Sequence, residues 1–489
     1  MNFSLAKQAV ASVFHRLGRS QSSSYSTWTY PTTVNSTTPQ FIVTPNNGFL
    51  PHSDPLERLP DDFHHLESLL QKMPLQIKTD SGSYKEGLLS EGNFGETLVK
   101  ELPVYDVANI TDSALLMALF RDYTFAASAY LLEPCDLGNR ISGNFGIGRD
   151  HLPASIAVPL VKIANKIGAK PFMEYAQSYA LYNYRRKDKS KPVTYDNLEL
   201  IRQFSGLPSE SGFILVHVDM VAKTKGVVEH VIGSLNAVAV NDRLNFNKHL
   251  RELVTVMKEI NGCMEKMWKR SSPSDYLKFR TFILGTKNQM SIFPKGVEYR
   301  GTDLDGPQFF RGESGANDSI IPTIDNFLEL TKKMPKNEMT NILKDFRSYR
   351  PLDHSNWLKW VEDSASELGI EKYAKLSTDS LQLYIMLLDE VRDFRTRHWN
   401  FAKEYIIKRT AYPTATGGSP MASWLPNQLY AVLRMLQDKS LVYRMMMEKE
   451  DPKLDEFVTK EYYNKISDQL QSLRKDMLSM EDIYGRYRK

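Results

Sequence analysis

Three side chains in this sequence combine reactive chemistry with an apolar setting. Between residues 379 and 408, Leu387, Val391, Phe394, His398, Phe401, Ala402 and Tyr405 recur at steps of three and four, which places His398 on the apolar face of a helix. An imidazole in such a stripe is either a hydrogen-bonded core residue or a metal or haem ligand. Arg395 lies three residues earlier on nearly the same face, where it suits an anionic group beside such a ligand and equally an ordinary ion pair. His217, in GFILVHVDMVAKT, shares a helical face with Phe213, Ile214, Met220 and Val221 and leaves the same two readings open. Arg280, in SDYLKFRTFILG, follows Tyr276 and Phe279 within an apolar helix. An arginine there either snorkels to the surface or holds a carboxylate bidentately. Two glycine-rich loops, FFRGESGANDS (309–319) and TATGGS (414–419), permit close backbone approach and offer Ser314, Thr416 and Ser419 as hydroxyl donors. Glycine loops by themselves are a weak signal.

The elements that must position these residues read mostly as helices. Apolar periodicity predicts helices over 63–73, 112–132, 153–167, 171–184, 244–269, 321–333 and 379–408, and alternation of the strand type is scarce. Turns are marked by NNG (46–48), SGNFGIG (142–148), RRKDKSKP (185–192), SGLPSESG (205–212), RGTDLDGP (300–307) and PTATGGSP (413–420). The basic turn at 185–192 has acidic neighbours and reads as a solvated loop. Residues 20–47 are rich in Ser, Thr, Pro and Asn and read as disordered or loosely attached. The first 19 residues place Lys7, Arg16 and Arg19 beside an apolar stripe, which is a mitochondrial transit peptide, a helix on the body or simply a disordered segment. The last forty-five residues read as a peripheral C-terminal helix.

Charge and composition remove several classes of function. Sixty-two Lys and Arg against 58 Asp and Glu give a net charge of +4, and no acidic residue precedes Asp54. The body beyond that point is close to neutral, which excludes a broad phosphate-tracking surface and nucleic acid as the expected partner. Cys135 and Cys263, the two cysteines, supply neither a disulfide framework nor a zinc spacing. No uninterrupted apolar run approaches the roughly 18 residues of a membrane span. The expectation is a cytoplasmic globular protein, with a mitochondrial address as the alternative.

The order and wording of nine segments say more. NNGFLPHSDPLERLP (46–60), DHLPASIAVPLVKIANKIG (150–168), YNYRRKDKSKPVTYDNLELI (182–201), SGFILVHV (211–218), FRTFILG (279–285), FFRGESGANDS (309–319), FRSYRPLDHSNWL (346–358), FRTRHWNFAKEYI (394–406) and TGGSPMASWLP (416–426) occur in the order of one family. From about residue 41 to about residue 439 the chain resembles the indoleamine 2,3-dioxygenases. The resemblance implies a mainly α, two-domain fold: a small N-terminal α domain (41–204) and a large all-helical haem-binding domain (205–445). These would be flanked by a flexible extension (1–40) and a peripheral helical extension (446–489). It implies haem b as cofactor and a haem-dependent dioxygenase of the kynurenine pathway that adds O2 across the indole C2–C3 bond of L-tryptophan or a related indole amine, giving N-formylkynurenine. The alternatives are a same-fold haem oxygenase or peroxygenase acting on a modified amino acid or another aromatic, and a non-catalytic haem protein that binds O2. A monomer with small-molecule partners is expected.

Residue by residue, the resemblance makes His398 the proximal ligand of the haem iron. It makes Arg395 a partner of a haem propionate, with Asp325 supporting that side. It assigns the substrate carboxylate to Arg280 and the closing loop over the amino-acid head group to Thr416 and Gly417, while Ser314 and Gly315 line the distal face. Two positions depart from the family pattern. His217 stands where mammalian members have serine, and Asp275 stands where the family usually has phenylalanine against the indole. Three accounts of Asp275 are open: it faces away and Tyr276 supplies the aromatic wall, it pairs with His217 across the distal pocket, or the substrate is not plain tryptophan.

Overall fold

The computed structural model describes residues 25–333, 345–410, 414–418, 421–450 and 456–487, so the expected targeting helix at 1–19 and Ser419 lie outside the described residues. Thirteen helices of eight or more residues are described. They are α1 (His64–Lys72), α2 (Phe94–Glu101), α3 (Ser113–Ser142), α4 (Ala154–Ile167), α5 (Pro208–Ala222), α6 (Thr224–Ala239), α7 (Arg243–Met264), α8 (Pro273–Arg280), α9 (Ile320–Phe327), α10 (Leu352–Leu368), α11 (Thr378–Phe401), α12 (Met421–Glu450) and α13 (Glu456–Tyr487). Among the described residues, sheet is confined to three two-stranded pairs: Gln76–Lys78 with Tyr84–Glu86, Tyr184–Arg186 with Leu198–Leu200, and His151–Leu152 parallel to Glu298–Tyr299.

The longest apolar helix, α3, organises the N-terminal part. The Asp112 carboxylate caps it by accepting from Leu115 N–H, and Gly143 ends it at φ 73°, where a side chain would be strained. By length and composition α3 could cross a membrane, but 94% of its apolar window is buried against the rest of the chain. It is a core helix. Two of its buried charges, Arg121 and Asp122, are compensated inside the fold. Arg121 Nε donates to Asp122 Oδ1 at 2.7 Å, Arg202 Nη2 donates to Asp122 Oδ2 at 2.7 Å, and Arg202 also grips Glu67 of α1.

In the C-terminal part, α7 packs against both α6 and α11, and α12 lies along α11 and packs against α13. These contacts hold α11 from two directions. Ser377 caps α11 through Ser380 N–H, and past Phe401 the helix widens into a π turn over Ala402–Ile407. A single π turn inserts one extra residue and re-aims the side chains that follow, a device frequent at functional sites.

Three expectations need correction. Residues 25–47 are neither disordered nor loose. Trp28 packs edge-on against Trp357 at 5.3 Å and donates Nε1–H to Val43 O, and Tyr25 OH donates to Asn236 Oδ1. Two aromatic anchors outweigh the polar composition around them. The helix expected over 171–184 is a π turn at Tyr175–Tyr179 followed by a strand from Tyr184, because Glu174, in extended backbone, turns its carboxylate onto Ala176 N–H and Gln177 N–H. The helix expected over 321–333 stops at Phe327, with Glu329 at φ 57° before a short 3-10 turn at Thr331–Lys333.

Candidate active site

Two adjoining cavities meet at His398. The first spans about 950 Å³, part of it open to solvent, and is walled by Phe213, Val216, Met220, Met264, Met267 and Phe401, with His217, Tyr276, Glu313, Ser314 and Thr416 as its main polar side chains. The second, about 820 Å³, is walled by Asp318, Asp325, Arg347, Arg350 and Arg395. Gly315, His398 and Leu425 line both, so the imidazole stands in the wall between an apolar chamber and a charged one. The π turn contributes directly, since Ala402, Tyr405 and Ile406 line the first chamber beside Phe401, the last residue of α11.

Neither ring nitrogen of His398 has a hydrogen-bond partner among the described residues. Burial, with His217 and Arg395 adding like charge, lowers its pKa to about 4, so the ring is neutral at neutral pH. His217 faces the same chamber from α5. Its Nδ1 lies 2.8 Å from Phe213 O, and because a carbonyl only accepts, Nδ1 carries the proton and Nε2 keeps its lone pair. Burial lowers the His217 pKa despite that bond. Phe213 sits between the His217 and Tyr276 rings at 5.1 and 5.2 Å, forming an aromatic wall.

Asp275 does not line the chamber. Its Oδ2 accepts from Ser209 Oγ at 2.8 Å and its Oδ1 from Lys278 Nζ at 2.9 Å, tying the first turn of α8 to the first turn of α5. Pairing with His217 across the pocket is therefore overturned, and so is a catalytic place for Asp275. Pro273 starts the helix, and the first turn points the carboxylate toward the polar start of α5 while Tyr276, one residue on, turns inward.

Arg280 is 1% exposed at the end of α8. It is not a lining residue of the chamber; its Nη2 donates to Thr414 O at 2.6 Å. The loop it holds is clamped from several sides. Thr416 Oγ1 donates to Glu313 O at 2.6 Å, Gly285 N–H to Thr416 O at 2.9 Å, and Arg311 Nη1 to Gly417 O at 2.8 Å. Backbones touch here: a Cβ on Gly312 would lie 2.3 Å from Gly285 N, and one on Gly285 would lie 2.1 Å from Gly312 N. Only glycine permits this approach.

On the charged side, Arg395 Nη2 donates to Asp325 Oδ2 at 2.6 Å, while the buried Asp325 Oδ1 has no partner among the described residues. Burial raises the Asp325 pKa against the pull of Arg395. Arg347 and Arg350, from the segment 346–358, share this chamber. They are functional candidates that periodicity could not single out, because the described helix at 345–347 is under one turn long and gives way to a turn by 348–350. Glu313 was also unrecognised. It sits in the glycine loop, is 4% exposed, faces the first chamber, and burial together with Glu174 raises its pKa to about 8. A glutamate inside a glycine loop with apolar flanks was the available signal.

Among the described residues no group of three or more His, Cys, Asp and Glu is placed to hold a metal ion. A lone imidazole suits a metal that brings its other ligands in a macrocycle. An apolar slot on one side of His398 and arginines on the other fit a flat, apolar macrocycle with anionic substituents. Both cysteines are buried, with pKa values pushed up to about 12 by burial, and make no reactive thiol here.

The family model for indoleamine 2,3-dioxygenase matches residues 37–420. Indoleamine 2,3-dioxygenase 1 of Mus musculus is 25% identical over 361 residues, covering 73% of this chain and 82% of that protein. The indoleamine 2,3-dioxygenase of Saccharomyces cerevisiae is 25% identical over 390 residues, covering 75% and 80%. A 6-hydroxytryptophan 2,3-dioxygenase of Fusarium equiseti is 22% identical over 375 residues, covering 75% and 84%. With every lining residue of the two chambers except Leu425 and Gln428 inside the matched span, the chain belongs to the indoleamine 2,3-dioxygenase family of oxidoreductases.

Proposed function

We propose that the chain is a haem-dependent dioxygenase that opens the indole ring of L-tryptophan or a close relative to an N-formylkynurenine. The observation that carries the reading is His398, an imidazole without a hydrogen-bond partner among the described residues, in the wall shared by the apolar chamber and the arginine-lined one. His398 would be the axial ligand of haem b, and Arg395, Arg347 and Arg350 would face its propionates. When bound, the haem iron supplies the dioxygen site and the electron chemistry by which both oxygen atoms enter the indole C2–C3 bond.

The chain's own residues do the positioning. Phe213 and Tyr276 offer ring faces for the indole, and His217 Nε2 can accept the indole N–H because its Nδ1 proton is committed to Phe213 O. The apolar walls keep water from the reacting carbons. Arg280 would take the substrate carboxylate in exchange for the Thr414 carbonyl, and Thr416 and Gly417 would close over the head group. Ser314 and Gly315, which line the first chamber, would border the distal side of the haem.

A second reading, a ring-modified tryptophan as substrate, is favoured by the polar side chains in an otherwise apolar chamber and by the 6-hydroxytryptophan enzyme among the relatives. Haem-reconstituted, reduced protein given L-tryptophan and air should yield N-formylkynurenine by mass, and the hydroxylated substrate tests the second reading. His398→Ala should lose haem retention; a full haem complement with unchanged axial ligation would overturn both.

A further inference from the structure

Glu313 is an acidic side chain of the first chamber whose surroundings leave it incomplete. It is 4% exposed, yet it lines the chamber, and its carboxyl has no hydrogen-bond partner among the described residues. The titratable groups facing it are Glu174, Tyr175 and Tyr179 from the π turn after α4 and Tyr276 from α8. None of these is a cation. Arg280, the nearest guanidinium on α8, gives its Nη2 to Thr414 O. Glu174 makes matters worse for a negative charge, because it is itself buried and carboxylic. A buried carboxyl without a cation is costly to ionise and gains most from a ligand that brings the positive charge with it.

Its place along the chamber narrows the ligand. Glu313 O accepts from Thr416 Oγ1, so the side chain belongs to the end closed by the 414–418 loop, whose Thr414 O receives Arg280 Nη2, and Tyr276 stands against both Glu313 and Arg280. An amino acid whose carboxylate reaches Arg280 would put its ammonium group at this end. We propose that Glu313 selects for substrates bearing an ammonium group, its carboxylate accepting from the α-ammonium while Arg280 holds the α-carboxylate. The inference rests on the reading of the chamber as an amino-acid site. The balance is simple: the empty chamber holds a neutral carboxyl, the ligand arrives as a zwitterion, the Glu313 O–H proton leaves to solvent, and a carboxylate–ammonium pair remains.

The test is calorimetry of the ferric haem-loaded protein at pH 7, with L-tryptophan and with indole-3-propionate, which lacks the amine, each in two buffers of different ionisation enthalpy. The expected result is release of close to one proton per tryptophan bound and none per indole-3-propionate. Glu313→Gln, which keeps the side-chain shape, should abolish the release and weaken tryptophan about ten- to hundredfold, leaving indole-3-propionate unchanged. The wild-type proton count needs no variant: tryptophan bound without proton release overturns the role of Glu313 and leaves the amino-acid reading standing. Equal loss of both ligands in Glu313→Gln assigns a structural role and also overturns the proposal. Failure of the wild-type protein to bind either ligand removes the amino-acid reading, and this inference with it.

Discussion

Asp122 and Glu313 are both carboxyls sunk in the protein interior, and their surroundings drive them in opposite directions. Burial would raise the Asp122 pKa, but the Arg121 and Arg202 guanidinium groups outweigh it and hold Asp122 below the ordinary carboxylate range. The same contest lowers Glu67, where Arg202 prevails over burial. Glu313 meets burial and a second carboxyl, and its pKa rises to about 8. The N-terminal cluster is complete before any ligand arrives and ties α1 and α3 to the segment entering α5. The chamber is left wanting a charge. Charges that hold a fold are paired within the chain, whereas charges that recognise a ligand keep an open position.

Variants that break this contrast differ in size of effect. Asp122→Asn strips the counter-charge from the buried Arg121 and leaves Arg202 only Glu67, and should cost about 3–5 kcal/mol of stability, read from the urea midpoint. A loss below about 1 kcal/mol would show that the cluster is not structural. Arg280→Gln should leave the urea midpoint nearly unmoved and cost about 2–5 kcal/mol in kcat/KM for tryptophan, read by steady-state kinetics.

The pH dependence sharpens the contrast further, and its sign differs between the clusters. Asp122 and Glu67 have lowered folded-state pKa values, so their stabilisation is present above the ordinary carboxylate range and is lost as pH falls through the lowered values. Glu313 is raised from 4.5 to about 8, so the folded state holds the extra proton between those values; its contribution is full below 4.5 and lost as pH rises through 8. Glu313→Gln should therefore flatten the decline in stability between pH 4.5 and 8 while leaving the acid limb intact, as urea titrations at stepped pH would reveal. The smallest effect belongs to Asp275→Asn, whose part-exposed pairing with Lys278 is worth at most about 1 kcal/mol. The pH profile of its ferric haem spectrum should match that of the parent.

Legibility in the sequence followed periodicity. His398 and His217 could be placed on apolar helical faces because α11 and α5 are long enough for a stripe to define a side. Asp275 could not, because α8 has eight residues and its polar first turn points differently from its apolar end. Arg347, Arg350 and Glu313 sit where the chain has no regular repeat, and which chamber they line depends on backbone contacts far apart in sequence. The π turn at Ala402–Ile407 was equally hidden, since its side chains read as a continuing α-helix. Composition misled at 25–47, where two aromatic rings decided the packing against a polar majority.

The C-terminal helix has a mechanical consequence. Asp476 of α13 receives Trp399 Nε1–H at 3.3 Å and Lys403 Nζ at 3.0 Å, spanning the junction where α11 passes into its π turn. One carboxylate from beyond residue 420, where the family match ends, thus serves as an abutment for the helix that carries His398. A version of the protein cut before residue 456 would lack that abutment, and any change in its haem spectrum would register the stiffness of the His398 mounting as much as the loss of a tail.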